Sequence, residues 1–473
     1  MMNSLRNYFV WDKLKYDIRF WLLILFLLRL IGITNPPLEM SHSWRQSLTA
    51  MISRNFIEYG PNLLYPRIDM GGIREGIIGS EFPFFNYLIY LFAKTFGYNH
   101  WYGRLINLSV TTVGVFYFFR LIKGLMTERI AFFSALLLAL SVWFGFARKI
   151  MADTFSVSLV IIGLFYAYNY LVNSNKLSLL WFFIFITLGV LCKIPAVSLC
   201  AVLVVIFFVP QIEFYKKVAV LIVSILSGAV VSWLYFYWVH YLVATYRYEL
   251  FFPRSFSEGI QEIVTVVPDL LEKFYFVAFS SFIAFACCLG GVAYLSKRNN
   301  NRKLIWIGIS SISVVFGLFI IKTGVVFPKH SYYVVPFVPV MAFIAGYFLS
   351  QLKAKYAVVL ALLIGVESVA NQQDDIFIKE SQRYKLTLKD IASEYVPKDS
   401  LVIMNTTWSP QQIYFAERRG WSEYTETLLK PGYLDSLQDL GGSYLIWDLH
   451  YGASPKTDGI LYKDLNYAVY KLD

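Results

Sequence analysis

Apolar runs close to the length of a bilayer-crossing helix alternate with short polar turns along most of this chain. They fall near 18–34, 103–122, 130–147, 152–172, 178–193, 196–212, 218–240, 272–295, 304–323, 332–350 and 355–371. About 20 apolar residues cross the hydrocarbon core as an α-helix, so the pattern predicts eleven membrane spans. A further run at 83–97, PFFNYLIYLFAKTFG, has about 15 residues. It is short for a span and better suited to lying along the interface. Between the first span and this run lies a polar stretch, His42 to Pro83, rich in arginine and carboxylate. From about Gln373 the pattern changes again, to strand-like runs at 401–405, 444–448 and 467–472 and a helical period around 386–395. The expected architecture is an all-α polytopic membrane domain over 1–372, with a large first loop at 35–102, followed by a small soluble α/β domain over 373–473. No internal repeat or low-complexity segment interrupts it.

Lysine and arginine concentrate in cytoplasmic turns. If 83–97 does not cross, the inner turns carry Arg6, Lys13, Lys15 and Arg19, then Arg120, Lys123 and Arg129, then Lys176, Lys216 and Lys217, then Lys297, Arg298, Arg302 and Lys303, and last Lys353 and Lys355. Every inner turn is then basic. The expected placement is a plasma (inner) membrane with the amino terminus in the cytoplasm, and with the first loop and the C-terminal domain on the periplasmic or extracellular side. The first span has a basic leader, but Gly32 to Pro37 shows no small-residue cleavage pattern, so it reads as a retained anchor.

Composition sharpens this picture: 57% of residues are hydrophobic and only 15% charged. Cys192, Cys200, Cys287 and Cys288 all lie in apolar runs and read as core residues, not as a disulfide frame or metal site. The tail from Gln373 holds 11 basic and 15 acidic residues, so the rest of the chain carries +15 against a total of +11. Attraction for anions belongs to the helical part, and nothing points to nucleic acid.

Cations on the predicted outer face break the positive-inside habit: Arg45, Arg54, Arg67 and Arg74 in the first loop, Arg148 and Lys149, Lys193, and Lys329. Arg and Lys suit phosphate, by forked hydrogen bonding and by point charge respectively. An outward-facing anionic ligand, a phosphate, explains the set; snorkelling to lipid headgroups is the alternative for any single residue. Carboxylates lie among these cations, namely Asp69, Glu81 and Asp153 in ARKIMADTFS. Asp153 either caps the following helix or works in a cavity as a base or divalent-ion ligand. The run FPKHSYYVVPFVP places Lys329, His330, Tyr332 and Tyr333 together, a cluster able to grip a phosphate or a ring. No HExxH or CxxC spacing, Walker loop or dinucleotide fingerprint occurs, so pattern alone fixes no metal or nucleotide.

Arg45 in HSWRQ, YPR at 65–67, Glu81 of SEFP, MAD ending at Asp153 and KHSYYVVPFVPVMAFIAGY at 329–347 together resemble the bacterial GT-C glycosyltransferases, nearest the protein-mannosyltransferase-like and aminoarabinose-transferase-like groups (family 39/83 type). The resemblance covers about residues 20–350. It implies an inverting enzyme that takes a sugar from a polyprenyl-phosphate donor and gives it to a cell-envelope acceptor, which is a glycan, lipid or protein. Such families commonly open the first loop with an acidic pair; here the matching place reads His42-Ser43. The base role then passes to Asp153 or His42, with Glu81 as an alternative or as a cation ligand. Arg45, Arg67, Lys149 and Lys329 would neutralise the departing phosphate, with His330 and Tyr332 or Tyr333 shaping its pocket. A divalent ion, if one takes part, has Glu81, Asp153 and His330 as candidate ligands.

Such chemistry needs only an oriented nucleophile, a base and positive charge where the phosphate leaves, while the isoprenoid tail lies among membrane lipids and helices. A transporter or flippase of an anionic glycolipid is the alternative from another class; it predicts deep ionisable residues, and only Arg29 and Glu367 qualify. An oligosaccharide ligase or polymerase is a third reading. In the tail, Trp408, Trp421 and Trp447 either stack on sugars or form aromatic core, and Asn405-Thr406-Thr407 fits a glycosylation sequon.

Overall fold

The computed structural model describes residues 16–248, 253–297, 302–455 and 458–472. Arg6, Lys13, Lys15 and Arg298 of the expected inner turns lie outside the described residues. Two compact units emerge. One comprises Met1–Ile33, Arg104–Tyr235 and Phe252–Ile376, the other Thr34–Gly103, Phe236–Phe251 and Phe377–Asp473. The first loop and the C-terminal segment thus share one unit.

Helices occupy all eleven apolar runs. Among the described residues five are long and apolar enough to cross a membrane by themselves: Trp101–Leu125, Ala152–Asn173, Phe214–Tyr246, Lys303–Thr323 and Ala354–Asn371. A sixth is broken, Val267–Val277 meeting Phe282–Ser296 at 94°. The 83–97 run becomes Phe84–Phe96, whose 13 residues make about 20 Å of α-helix, short of the roughly 30 Å core. Ile194–Phe208 is a 3-10 helix of 15 residues. At about 2.0 Å per residue it reaches about 30 Å, where α winding would give about 22 Å, so a short run gains the reach of a span.

The membrane unit is built around Glu128–Leu140, buried on every side from Ile130 to Leu140 and packed against Val338–Gln351. The two backbones close on each other at Gly346, where a Cβ would lie 2.4 Å from Ser134 N. The two deep charges are structural. Glu367 accepts hydrogen bonds from Ser281 Oγ (2.5 Å), Phe282 N (3.0 Å) and Ile283 N (3.3 Å). It therefore caps the broken helix at Phe282, where free N–H groups in hydrocarbon would otherwise cost several kcal/mol each. Arg29 is buried, donates to Ala139 O and lies 4.9 Å from the Phe144 ring. All four cysteines are free thiols, buried or partly so.

In the second unit a five-stranded sheet has the order β2-β1-β3-β5-β4, with β1 Leu401–Asn405, β2 Arg419–Glu423, β3 Gly442–Asp448, β4 Ile460–Lys463 and β5 Tyr467–Lys471. β1 pairs in parallel with β2 and β3, while β5 runs antiparallel to β3 and β4. The central strands are apolar and buried. β2 (RGWSE) and β4 (ILYK) are edges whose sequence carries no alternation. Pro410–Ala416, buried throughout, packs on the first-loop helix Ser43–Tyr59.

Candidate active site

Asp153 sits in the first turn of Ala152–Asn173, and Met151, not Asp153, holds the cap position. The capping alternative for Asp153 is therefore not what the structure shows. The turn before it is fixed by Asn107, whose amide donates to Phe146 O (2.9 Å), Lys149 O (2.9 Å) and Met151 O (3.1 Å). The same residue's Oδ1 accepts from Thr154 Oγ1 at 3.0 Å. One buried amide thus holds both sides of the bend that presents Asp153. Facing it is Lys193, at the end of Lys176–Cys192, with Nζ 3.6 Å from Asp153 Oδ1. The two helices meet closely at Gly189, where a Cβ would come within 2.9 Å of Ser156 O, and Ser156 Oγ donates to Gly189 O at 2.7 Å. A larger residue there would push Lys193 away from Asp153.

Aromatic rings complete this cluster. Lys193 Nζ lies 5.2 Å from the Tyr332 ring centroid, a cation–π contact. His330 stacks on the other part of the group, 5.1 Å from Tyr332 at 16°. Tyr333 lies 4.6 Å from Tyr332 and 5.6 Å from His330, with Phe319 and Phe327 on its other contacts at 5.5 and 6.0 Å. Lys329 is exposed.

Lys149 and Arg148, both fully buried, turn to the end of the last membrane helix. Lys149 Nζ pairs with Asp375 Oδ1 at 2.8 Å. Arg148 donates to the carbonyls of Arg29 (3.2 Å), Ile31 (2.8 Å) and Asp375 (3.0 Å). It ties the ends of the first and last membrane helices to the turn before Asp153, a structural task that a phosphate ligand would not explain.

In the second unit, Arg45 NH2 meets both oxygens of Glu81 at 2.5 and 2.6 Å. His42 precedes Ser43–Tyr59 with a left-handed backbone (φ 62) and no side-chain capping bond. Below them a buried network joins Arg54 to Asp69 (2.6 Å) and to Tyr414 O (2.7 Å), with Asn55 donating to Asp69 at 2.9 Å. Burial opposes the Arg54 charge, but Asp69, Tyr414, Tyr98 and Glu417 together more than offset it and the net shift of its pKa is upward. Arg67 is more peripheral, 3.5 Å from Glu75 and 5.4 Å from the Tyr59 ring.

Asp153 is brought together with Tyr332 and His330 through Lys193. Lys193 stood out as an outer cation but had no assigned role; its signal is a lysine directly after a span. Glu39 went unnoticed. It is fully buried and accepts from Gln46 at 3.3 Å, and an acid just after Pro36-Pro37 at the exit of the first span is the clue the sequence held. Among the described residues no three of His, Cys, Asp and Glu gather in a group able to hold a metal ion. Glu81, Asp153 and His330 therefore make no preformed metal centre. A 750 Å³ cavity lies elsewhere, bordered by Arg19, Phe116, Lys123 and Arg129. It shares no residue with these clusters.

A profile of the dolichyl-phosphate-mannose-protein mannosyltransferase family matches residues 80–240, the stretch that holds Glu81, Lys149, Asp153 and Lys193. Among solved structures, apo ArnT from Cupriavidus metallidurans superposes with a TM-score of 0.63 at 13% identity, over 95% of this chain and 97% of that one. The chain has the GT-C glycosyltransferase fold. ArnT bound to undecaprenyl phosphate gives a TM-score of 0.59 at 14% identity, over 95% and 97% of the two chains. The apo oligosaccharyltransferase of Archaeoglobus fulgidus gives 0.61 at 12% identity, over 93% of this chain and 70% of that one. No curated protein matches the sequence. With this fold and five described helices long and apolar enough to cross a membrane, it is a multi-pass membrane protein with a small C-terminal α/β sheet, the fold class expected from its hydrophobic pattern.

Proposed function

We propose that this chain transfers a sugar from a polyprenyl-phosphate donor to a cell-envelope acceptor, with inversion at the anomeric carbon. The observation that carries the reading is the buried Asp153–Lys193 pair, 3.6 Å apart, at the mouth of a membrane helix in a GT-C fold. Asp153 takes the proton of the acceptor hydroxyl as its oxygen attacks the anomeric carbon. The bond from that carbon to the phosphate oxygen breaks, and the polyprenyl phosphate leaves as an anion. Lys193 stands beside the base as positive charge for that anion, with Tyr332 and His330 forming the wall around it. Lys329 of the same unit lies exposed for the phosphate, and the first loop holds Arg45 of the expected cation set, paired with Glu81. His42 and Glu81 are the alternative bases. The basic inner turns support an inside amino terminus and an outer-facing first loop and C-terminal domain, in the inner membrane.

The test is mass spectrometry of the purified chain incubated with a panel of polyprenyl-phosphate sugars and cell-envelope extract, alongside Asp153→Asn. The expected result is free polyprenyl phosphate with a matching mass gain on an acceptor, lost in the variant while lipid binding persists. Intact donor with both proteins, together with lipid movement between the leaflets of vesicles, would replace this reading by the transporter.

A further inference from the structure

The C-terminal sheet contains a topological switch. From β1 the chain runs through Pro410–Ala416 to β2 on one side, then crosses back to place β3 on the other side of β1. In open α/β sheets such a divergence leaves a crevice at the carboxyl ends of the two strands, the usual place for a ligand. Here those ends are Asn405 and Asp448, joined by Asp448 N donating to Asn405 Oδ1 (2.6 Å) and Asn405 Nδ2 donating to Asp448 O (3.0 Å).

A buried polar group gathers at these strand ends. The buried Asp448 carboxylate accepts from Tyr384 Oη (2.9 Å) and Gln412 Nε2 (3.2 Å). Gln412 also reaches the hydroxyl of the half-buried Tyr451 at 3.4 Å. Hydrogen bonds therefore link Tyr451 through Gln412 to the carboxylate. Among the described residues two fully buried atoms in this group have no hydrogen-bond partner, Gln412 Oε1 and Tyr467 Oη. Buried polar atoms are nearly always paired, so two orphans beside one carboxylate call for a polar ligand.

The rim carries the other half of the recognition. Thr407 and Trp408 follow β1 with left-handed backbones, φ 55 and 59, strain of the kind that collects at binding loops. They hold the Trp408 indole 40% exposed. Trp44 packs on it at 6.2 Å and donates from Nε1 to Trp408 O at 3.2 Å. An aromatic face beside a carboxylate, an amide and hydroxyls matches the alternating C–H faces and hydroxyls of a neutral sugar. A phosphate would instead meet the Asp448 charge.

We propose that the carboxyl ends of β1 and β3 form a binding site for a neutral saccharide, the sugar portion of the acceptor. Its role as acceptor rests on the transferase reading; its binding of sugar does not. The test is saturation-transfer NMR of the full chain in nanodiscs with neutral trisaccharides of glucose, galactose, mannose, rhamnose and N-acetylglucosamine. At least one is expected to receive magnetisation. Trp408→Ala, an exposed change, and Gln412→Leu are expected to weaken its binding tenfold or more, while Asp153→Asn leaves it intact and all three still bind undecaprenyl phosphate. No transfer to any of the sugars, or equal binding by both C-terminal variants, would overturn the proposal. Sugar binding that depends on Trp408, without any binding of undecaprenyl phosphate, would keep this site and remove the donor reading instead.

Discussion

Lys193 Nζ and Asp153 Oδ1 stand 3.6 Å apart with side chains only 8% and 5% exposed, across a gap of 40 residues in the chain. A pair so enclosed has separable consequences for stability and for chemistry. Removing one partner strands a buried charge and costs roughly 3–5 kcal/mol, whereas replacing both by apolar or neutral groups is often neutral. Lys193→Met is therefore expected to lower the melting temperature clearly, and Asp153→Asn with Lys193→Met to recover most of the loss. Turnover should fall at least about 100-fold in both the single and the double variant. A double variant that regains activity along with stability would show the pair to be merely architectural.

Gly189 sets the distance between those two residues. Gly189→Val is expected to leave the fold in place but to cut turnover by tenfold or more, because the added atoms press on Ser156 O and Val160 and displace the helix end bearing Lys193. Assay of turnover beside circular dichroism checks this. Unchanged turnover would mean that the Lys193 position is not critical.

Glu367 is expected to matter for stability alone. Glu367→Ala leaves Phe282 N and Ile283 N without their acceptor, although Ser281 still caps Ala284 N, and should cost about 1–3 kcal/mol, read as lower thermal stability in detergent. Affinity for undecaprenyl phosphate should not change. A selective loss of lipid affinity would return this residue to the transporter's list of deep functional charges.

Lys385 makes the C-terminal domain sensitive to pH. Burial pushes its pKa down to about 8 from 10.5, with Asp448 opposing the shift; its Nζ donates to Gln382 Oε1 (2.7 Å) and Gln411 Oε1 (2.6 Å). Below about pH 8 it is protonated in both folded and unfolded chains, and the burial penalty is fully present. Between about pH 8 and 10.5 the unfolded chain holds more protons, so stability rises with pH, by roughly 3 kcal/mol at most. Hydrogen exchange of β1 and β3 should slow across that window once corrected for intrinsic rates. Lys385→Met is expected to abolish the trend; the same slope in that variant would assign it to another group.

Much of the fold was legible because membrane helices advertise themselves by length and apolarity, as did β1, β3 and β5 by their buried, apolar residues. β2 and β4 escaped because edge strands pay little for polar or glycine-containing sequence such as Arg419-Gly420-Trp421. Asp153, His330 and Tyr332, named from residue type alone, lie around Lys193 in one cluster. Lys193 showed as an outer cation without a role and Asn107 not at all, since both act through contacts made only when helices pack. Arg148 and Lys149 read as outward cations, yet burial directs both to the end of the last membrane helix. The same logic disposes of the sequon. Asn405 is fully buried and its amide is engaged by Asp448 O and Thr425 Oγ1, while Trp447 lies wholly in the core and Trp408 alone of the three tail tryptophans is strongly exposed.

The 3-10 winding of Ile194–Phe208 makes that segment a store of length. Each residue rewound as α-helix would shorten it by about 0.5 Å, so converting about seven residues would draw its ends together by roughly the 3.6 Å that separates Lys193 from Asp153. Lys193 is the residue on which this helix begins. A change of pitch within the hydrocarbon layer would thus be felt first at the ammonium group beside the proposed base, without any helix having to tilt or slide.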